Sequence, residues 1–197
     1  MSSEAPTPRL QPGPAWFDDA ERVDAALYAA IARTPTPTLD TAMARLSQAA
    51  NFSGLWLASA AGLAGLGGRR GRKAAVLGMA SIGVTSVVIN AAMKPLGRRS
   101  RPARAAEEVP LARHVPMPAS TSFPSGHSAS AFAFATAVGH VHPQAGVPLR
   151  GLAALVAYSR VHTGVHYPGD IVAGALVGST MAQLTTHFLL RDRGASA

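Results

Sequence analysis

Residues Ser159 to Asp170 read Ser-Arg-Val-His-Thr-Gly-Val-His-Tyr-Pro-Gly-Asp, so that a fixed cation, two imidazoles and a carboxylate lie between two apolar runs. Ionisable groups at a membrane boundary are costly to desolvate, and their presence there points to function. His166 precedes Asp170 by four residues, with Pro168 suited to the first turn of a helix, a spacing that allows a hydrogen-bonded pair. The carboxylate of such a pair fixes the imidazole tautomer and stabilises positive charge on the ring, which makes the other ring nitrogen a better nucleophile. Arg160 offers a planar fork of donors suited to phosphate oxygens. These residue types and this spacing point to phosphoryl chemistry at a membrane surface.

Two further segments carry compatible groups. Lys94-Pro95-Leu96-Gly97-Arg98-Arg99-Ser100-Arg101-Pro102 follows directly on an uncharged run. Alone it reads as a juxtamembrane polybasic patch in preference to a phosphate cradle. Phe123-Pro124-Ser125-Gly126-His127 reads as a helix start. Ser125 is the N-cap, Gly126 permits close backbone approach to a ligand, and the free N–H groups of the first turn favour an anion. A capped helix with an incidental His127 is the plainer alternative for that segment. Taken together, three segments distant in sequence, each at the end of an apolar run, bring Lys94, Arg101, His127, Arg160, His166 and Asp170 into reach of one another.

The elements that must position these groups are membrane helices. Net charge is +8, yet only 14% of residues are charged and 48% are hydrophobic, and the cations cluster at the ends of uncharged runs. That pattern excludes a nucleic-acid-binding surface and suits a bilayer protein. No cysteine is present, so disulfides and thiolate metal sites are excluded. Residues 1–15 are rich in Pro, Ser and Thr and are expected to form a disordered tail, with no cleavable signal peptide. Residues 16–50 are expected as two amphipathic helices lying along the membrane, split at Thr34-Pro35-Thr36-Pro37, with Val23, Leu27 and Ile31 recurring on one face. Packing of these helices onto the bundle is the alternative.

Residues 51–193 are expected to form the membrane-embedded domain. Its spanning segments are Phe52–Leu66, Ala74–Met93, Ser125–Val141, Leu152–Val161 and Ile171–Leu190. The second and fifth are long and apolar enough to cross a core of ~30 Å alone, and the third and fourth need neighbours. Gly174 and Gly178 form a small-xxx-small pair that implies close helix packing. The fold class expected is thus all-α: a polytopic membrane bundle of about five transmembrane helices with N-terminal amphipathic helices. Arg69, Arg70, Arg72 and Lys73, with Arg191 and Arg193, mark one face as cytoplasmic. The segments 93–124 and 163–169 then share the opposite, extracytoplasmic face, where the cations of the first loop are ascribed to substrate binding.

The three motifs, Lys94…Arg101-Pro102, Pro124-Ser125-Gly126-His127 and Ser159-Arg160…His166…Asp170, resemble the signatures of the type 2 phosphatidic acid phosphatase superfamily, which includes membrane lipid phosphatases, bacterial acid phosphatases and vanadium haloperoxidases. The resemblance covers about residues 51–190. The departure lies at the N-terminus, where a first span common in membrane members gives way to amphipathic helices. The resemblance implies that His166 attacks phosphorus to form a phosphohistidine, that Asp170 orients it, and that His127 protonates the leaving oxygen. It further implies that Lys94, Arg101, Ser125, Gly126 and Arg160 hold the phosphate oxygens. No metal or other cofactor is implied, and the partners are a lipid phosphate substrate and membrane lipids. Polyprenyl diphosphate, phosphatidic acid-type lipids and prenyl-linked sugar phosphates remain open as substrates. A non-catalytic lipid-phosphate binding or transport protein and a vanadate-dependent haloperoxidase are the competing readings. His162 is expected as a rim or packing residue. Arg98, Arg99 and Arg104 are expected to recruit anionic substrate, with Glu107 and Glu108 as their partners.

Overall fold

The computed structural model describes residues 15–97 and 99–191, and every regular element in them is helical. The tail expected over 1–15 lies outside the described residues except for Ala15, which opens the first helix; Arg98 and Arg193 also lie outside them. Helix α1 (Ala15–Arg33) and helix α2 (Pro37–Ala49) are separated at the Thr-Pro-Thr-Pro break, with Pro37 in the first turn of α2. A 3-10 turn at Asn51–Ser53 then bends the path by 67° into α3 (Gly54–Leu66). Helix α4 (Gly68–Val87) continues through a π-helical turn, Val88–Met93, into the one-turn helix α5 (Lys94–Leu96). A long loop containing one 3-10 turn, Leu111–Arg113, leads to α6 (Gly126–Val141), α7 (Pro143–His162) and α8 (Pro168–Arg191).

Helix α6 is the axis of the bundle, in contact with α4, α7 and α8. It is built largely of alanine, and Ala129, Ala131, Ala133, Ala135 and Ala137 are all completely buried. Small side chains let neighbouring backbones approach closely, and the glycines of the partner helices complete the fit. Gly174 and Gly178 of α8 lie directly against the Ser125 carbonyl and the Ala129 backbone of α6, as their spacing predicts. Gly78 of α4 faces Phe134 and Val138. Phe134 in turn meets Trp56 of α3 at 5.6 Å between ring centroids.

Large apolar side chains point the other way. Val76, Val84 and Val87 of α4, Val147 and Leu155 of α7, and Val172, Leu176, Leu184 and Phe188 of α8 are exposed on the outside of the bundle. Small residues within and bulky apolar residues without is the arrangement of helices whose outer surface meets hydrocarbon.

Three expectations are refined. Helix α7 begins at Pro143 and not at Leu152, because Pro143 supplies a preset first helical turn and the chain runs helically through Pro148. Among the described residues only the unit Gly68–Leu96 is by itself long and apolar enough to cross a membrane; the bent pair 37–49 and 51–66 passes together. Helix α8 has the length, but Gln183, Thr185, Thr186 and His187 dilute its apolar character. In α1 the face turned inward carries Asp24, Tyr28 and Ala32, while Val23 and Leu27 face outward.

The N-terminal helices are bound to the bundle by a buried charge network. Arg113, fully buried, donates to the carbonyls of Ile31, Ala32 and Thr34, to the Thr36 hydroxyl and, at 2.8 Å, to Asp40 Oδ1. His162 of α7 donates to the same carboxylate oxygen at 3.0 Å. Arg113, whose charge the sequence reading ascribed to substrate binding, is therefore a structural tie. His162 is a packing residue, as expected.

Candidate active site

The long loop and the α7–α8 connection meet at the end of α4 that carries Lys94, opposite the Arg69–Lys73 end. Helix α7 stops because Gly164 adopts φ +66°, a left-handed conformation that glycine accepts without steric cost. The next two backbone N–H groups, Val165 and His166, both return to the Arg160 carbonyl, at 2.9 and 3.1 Å. This turn folds His166 back over the end of its own helix. Pro168 then starts α8 and sets Asp170 in its first turn, facing His166.

The two side chains pair as their spacing predicts, with His166 Nδ1 3.3 Å from Asp170 Oδ2. Both are buried. The same carboxylate oxygen accepts the Tyr167 backbone N–H at 2.9 Å and the Ser122 hydroxyl, while Asp170 Oδ1 accepts Arg99 at 3.0 Å. On the far side of the ring, Arg101 Nη1 lies 3.2 Å from His166 Nε2. A guanidinium can only donate, so Nε2 must be the accepting nitrogen and the ring proton resides on Nδ1. Burial pushes His166 down to about 4, and its hydrogen bond to Asp170 only partly opposes that shift. The imidazole is thus neutral at physiological pH, with the lone pair on Nε2 directed at a cation.

Arg101 is held by main-chain acceptors, the carbonyls of Ser120, Thr121 and Val165 at 2.9, 3.1 and 2.9 Å. The Ser120 hydroxyl also accepts from Lys94 Nζ at 3.1 Å and from Arg101 Nη2 at 3.3 Å, so two cations converge on one neutral oxygen. Buried Arg160 donates to Ser47 of α2, and its Nε has no hydrogen-bond partner. Among the described residues, no ion pair joins Lys94, Arg101 or Arg160 to a carboxylate.

A cavity of about 570 Å³ is lined by Lys94, Gly126, His127 and Arg160, whereas Arg101, His166 and Asp170 do not line it. Ile89, Phe52 and Met117 contribute apolar walls. The cavity meets α6 at its N-terminus, where Ser125 caps the helix by accepting from the Ser128 N–H. Ser125 is completely buried, and its hydroxyl also accepts from the Ser128 hydroxyl at 3.2 Å. Gly126 borders open space: a Cβ there would come no nearer than 3.9 Å to Ile89 and 4.0 Å to Lys94 Nζ. Its N–H and that of His127 belong to the first helical turn and have no intrahelical acceptor. The Ser125 backbone N–H donates to the Asp170 carbonyl at 3.0 Å, which joins the start of α6 to the start of α8.

Sequence reasoning did not single out Asn51, whose Oδ1 accepts from His127 Nε2 at 2.9 Å. It sits on the turn between α2 and α3, where Phe52 and Ser53 take positive φ values of 52° and 58°. Such backbone costs roughly 1–3 kcal/mol per residue and tends to occur where a side chain must be aimed. Ser47, Ser120 and Ser122 were missed as well, because a single serine outside a motif has no sequence signal. The partners of Arg99, Arg104 and Glu107 differ from those expected. Arg104 donates to the Val115 carbonyl at 2.9 Å, and Glu107 pairs with Arg33 at 2.9 Å. Arg99 pairs with Asp24 and Asp170.

The constellation can present a neutral imidazole nitrogen to an electrophile inside a ring of uncompensated cations, with a second imidazole at the cavity. The sequence profile described as the PAP2 superfamily matches residues 74–193. The chain is 38% identical over 93 residues to the decaprenylphosphoryl-5-phosphoribose phosphatase of Mycobacterium tuberculosis, a match covering 47% of this chain and 49% of that protein. The match thus spans about half the length of that relative. Among solved structures, Aquifex aeolicus LpxE superposes with a TM-score of 0.68 at 27% identity, over 83% of this chain and 94% of the other. The transmembrane PAP2 type phosphatidylglycerolphosphate phosphatase of Bacillus subtilis gives the same TM-score, 0.68, at 23% identity over 88% of each chain, and shares the fold.

Proposed function

This chain belongs to the PAP2 superfamily, and from that premise we propose that it is an integral-membrane phosphatase acting on a lipid-linked phosphate or diphosphate. The observation that carries the proposal is the set of unneutralised cations: Lys94 and Arg101 share the hydroxyl of Ser120, and Arg160 keeps a buried, unpartnered Nε. Arg160 is buried and Lys94 and Arg101 are half-buried, so charge there without a counter-ion is costly, and a dianionic phosphoryl group supplies that counter-ion. The apolar walls around Phe52, Ile89 and Met117 suit the lipid portion of the substrate.

In this reading His166 Nε2 attacks phosphorus and the P–O bond to the leaving group breaks. His127 delivers a proton to the departing oxygen. Water then attacks the phosphohistidine, with His127 accepting its proton, and phosphate leaves as the P–N bond breaks. Asp170 holds the ring orientation and stabilises its positive charge. Lys94, Arg101, Arg160 and the first N–H groups of α6 hold the equatorial oxygens as charge builds on them. The scheme needs no metal ion.

Helices α3 to α8 would form the spanning bundle, about five crossings, with the Val23 and Leu27 face of α1 on the membrane surface. Arg69, Arg70, Arg72 and Lys73 lie at the end of α4 remote from Lys94, which favours an extracytoplasmic site if that end is cytoplasmic. The relative named for a decaprenyl-linked sugar phosphate supports a prenyl-linked substrate within the wider lipid class.

The test is phosphate release by the detergent-purified protein in excess chelator. Diacylglycerol phosphates, polyprenyl diphosphates and prenyl-linked sugar phosphates would be offered in parallel, with His166→Ala as the control. Chelator-resistant release from at least one of them, lost in His166→Ala, is expected. Release that requires a divalent metal, or that survives the substitution, would overturn the mechanism.

A further inference from the structure

Asp170 has two oxygens, and the structure divides them between two tasks. Oδ2 faces His166, Ser122 and the Tyr167 N–H. Oδ1 is left to Arg99 Nη1 at 3.0 Å. The same Arg99 nitrogen is 2.6 Å from Asp24 Oδ2 of α1, and its guanidinium lies 4.2 Å above the Tyr167 ring centroid. Asp24 also accepts the Gly169 backbone N–H at 2.6 Å, within the first turn of α8, through Oδ1. A helix that is only appended to the bundle would have no need to place a buried carboxylate here.

We propose that Asp24 and Arg99 are a positioning pair for the His166–Asp170 dyad, through which α1 fixes the rotation of the Asp170 carboxylate and the start of α8. The proposal rests on the reading of His166 as the phosphoryl acceptor. A carboxylate free to rotate about its terminal bond offers either oxygen to the ring. With Oδ1 tied to Arg99, only Oδ2 can meet Nδ1, and the ring plane follows. Tyr167 limits Arg99 from one face and Asp24 limits it from its end, so the guanidinium itself cannot swing away.

Arg99 also sets the charge felt by the dyad. The titratable and charged groups around it are Arg99 and Arg101 from the loop, Arg160 from α7, His127 from α6 and Asp24 from α1, with the Tyr167 hydroxyl nearby. Removing the positive charge of Arg99 makes the site more negative and raises the His166 proton affinity. Removing the negative charge of Asp24 does the reverse. A residue with a merely structural role would lower the folded fraction and leave the titration of His166 where it was.

The experiment compares Asp24→Asn, Arg99→Gln and the double variant, all purified in detergent as the full chain. Asp24→Asn keeps an acceptor for the Gly169 N–H and so retains the helix contact. Steady-state kinetics on the best lipid phosphate are read together with the His166 ring nitrogen signals in 15N-histidine-labelled protein. Each single variant is expected to lower kcat by about tenfold with KM changed less than threefold, on the scale of outer-shell substitutions behind reactive histidines. The double variant should lose no more than Arg99→Gln alone, because Asp24 acts through Arg99. The midpoint of the His166 titration should move up in Arg99→Gln and down in Asp24→Asn. Multiplicative losses in the double variant, or a midpoint identical in all proteins, would overturn the pair. Absence of phosphate release by the unsubstituted protein would instead refute the phosphatase reading, and the titration midpoints would still decide whether Asp24 and Arg99 act on the dyad.

Discussion

Arg101 donates to the Nε2 of His166 across 3.2 Å, so the nitrogen expected to attack phosphorus is occupied by a cation before substrate arrives. A phosphoryl oxygen entering the site can take over that donor, and the same movement uncovers the lone pair. Arg101→Lys keeps the charge but loses the planar fork that reaches Ser120, Thr121 and Val165 together. It is expected to reduce kcat/KM by roughly 10²-fold, the scale for removal of one transition-state donor. Kinetics on a lipid phosphate would check this, and an unchanged value would show that Arg101 acts as charge alone.

The neutral state of His166 has its own signature. Its proton affinity is pushed down to about 4, whereas an ordinary histidine titrates near 6.5. Between these values the unfolded chain takes up a proton at this position that the folded protein does not. The contribution to stability is therefore complete above about pH 6.5 and declines as pH falls toward 4. Nitrogen-15 spectra should show His166 in the Nδ1–H form at pH 5.5, where exposed histidines are mostly protonated.

Gly174→Val and Gly178→Val both drive a side chain into the α6 backbone. Each should cost about 1–3 kcal/mol through overpacking. They differ in what they touch. Gly174 lies on the Ser125 carbonyl, beside the Ser125–Asp170 hydrogen bond that joins two parts of the site, while Gly178 lies a turn further on. Activity per folded molecule should fall much more in the first variant, which a thermal-melt series with matched kinetics would reveal.

Asp40→Ala removes the carboxylate shared by Arg113 and His162 and strands a fully buried guanidinium. A loss of roughly 3–5 kcal/mol is expected, as for other buried pairs broken from one side. Asp40→Asn, which retains an acceptor, should lose less. Denaturation of the two variants in the same detergent tests the order.

Asn51→Ala frees His127 Nε2 from its only side-chain acceptor among the described residues. The expected result is a fall of about tenfold in kcat with little change in KM, since proton delivery depends on the aim of the ring while binding does not. A change confined to KM would assign Asn51 to substrate contact instead.

The motif residues were legible because each sits where chain geometry leaves little choice. Pro168 starts α8, four residues separate His166 from Asp170, and Ser125 caps α6, so spacing alone predicted the contacts. Asn51, Ser120 and Ser122 were invisible because their roles arise from tertiary approach between segments far apart in the chain. Charge was the least informative signal. Arg113 and Arg99 look in sequence like the other cations of their loop, yet one is buried under α1 and α2 and the other joins two carboxylates. Periodicity in α1 displayed only the outward stripe of Val23 and Leu27. The inward face was not legible, because Asp24 faces the bundle to meet Arg99 and Gly169 and Tyr28 packs edge-on against Tyr167.

The π-helical turn at Val88–Met93 decides where Lys94 points. One residue more than an α-turn would hold is accommodated within it, and everything after it is rotated by about 100° relative to an uninterrupted helix. Lys94 is therefore a matter of phase as much as of identity. Were the same number of residues forced into ordinary α pitch, the lysine would stay in the chain but its ammonium group would be carried around the cylinder and off the cavity.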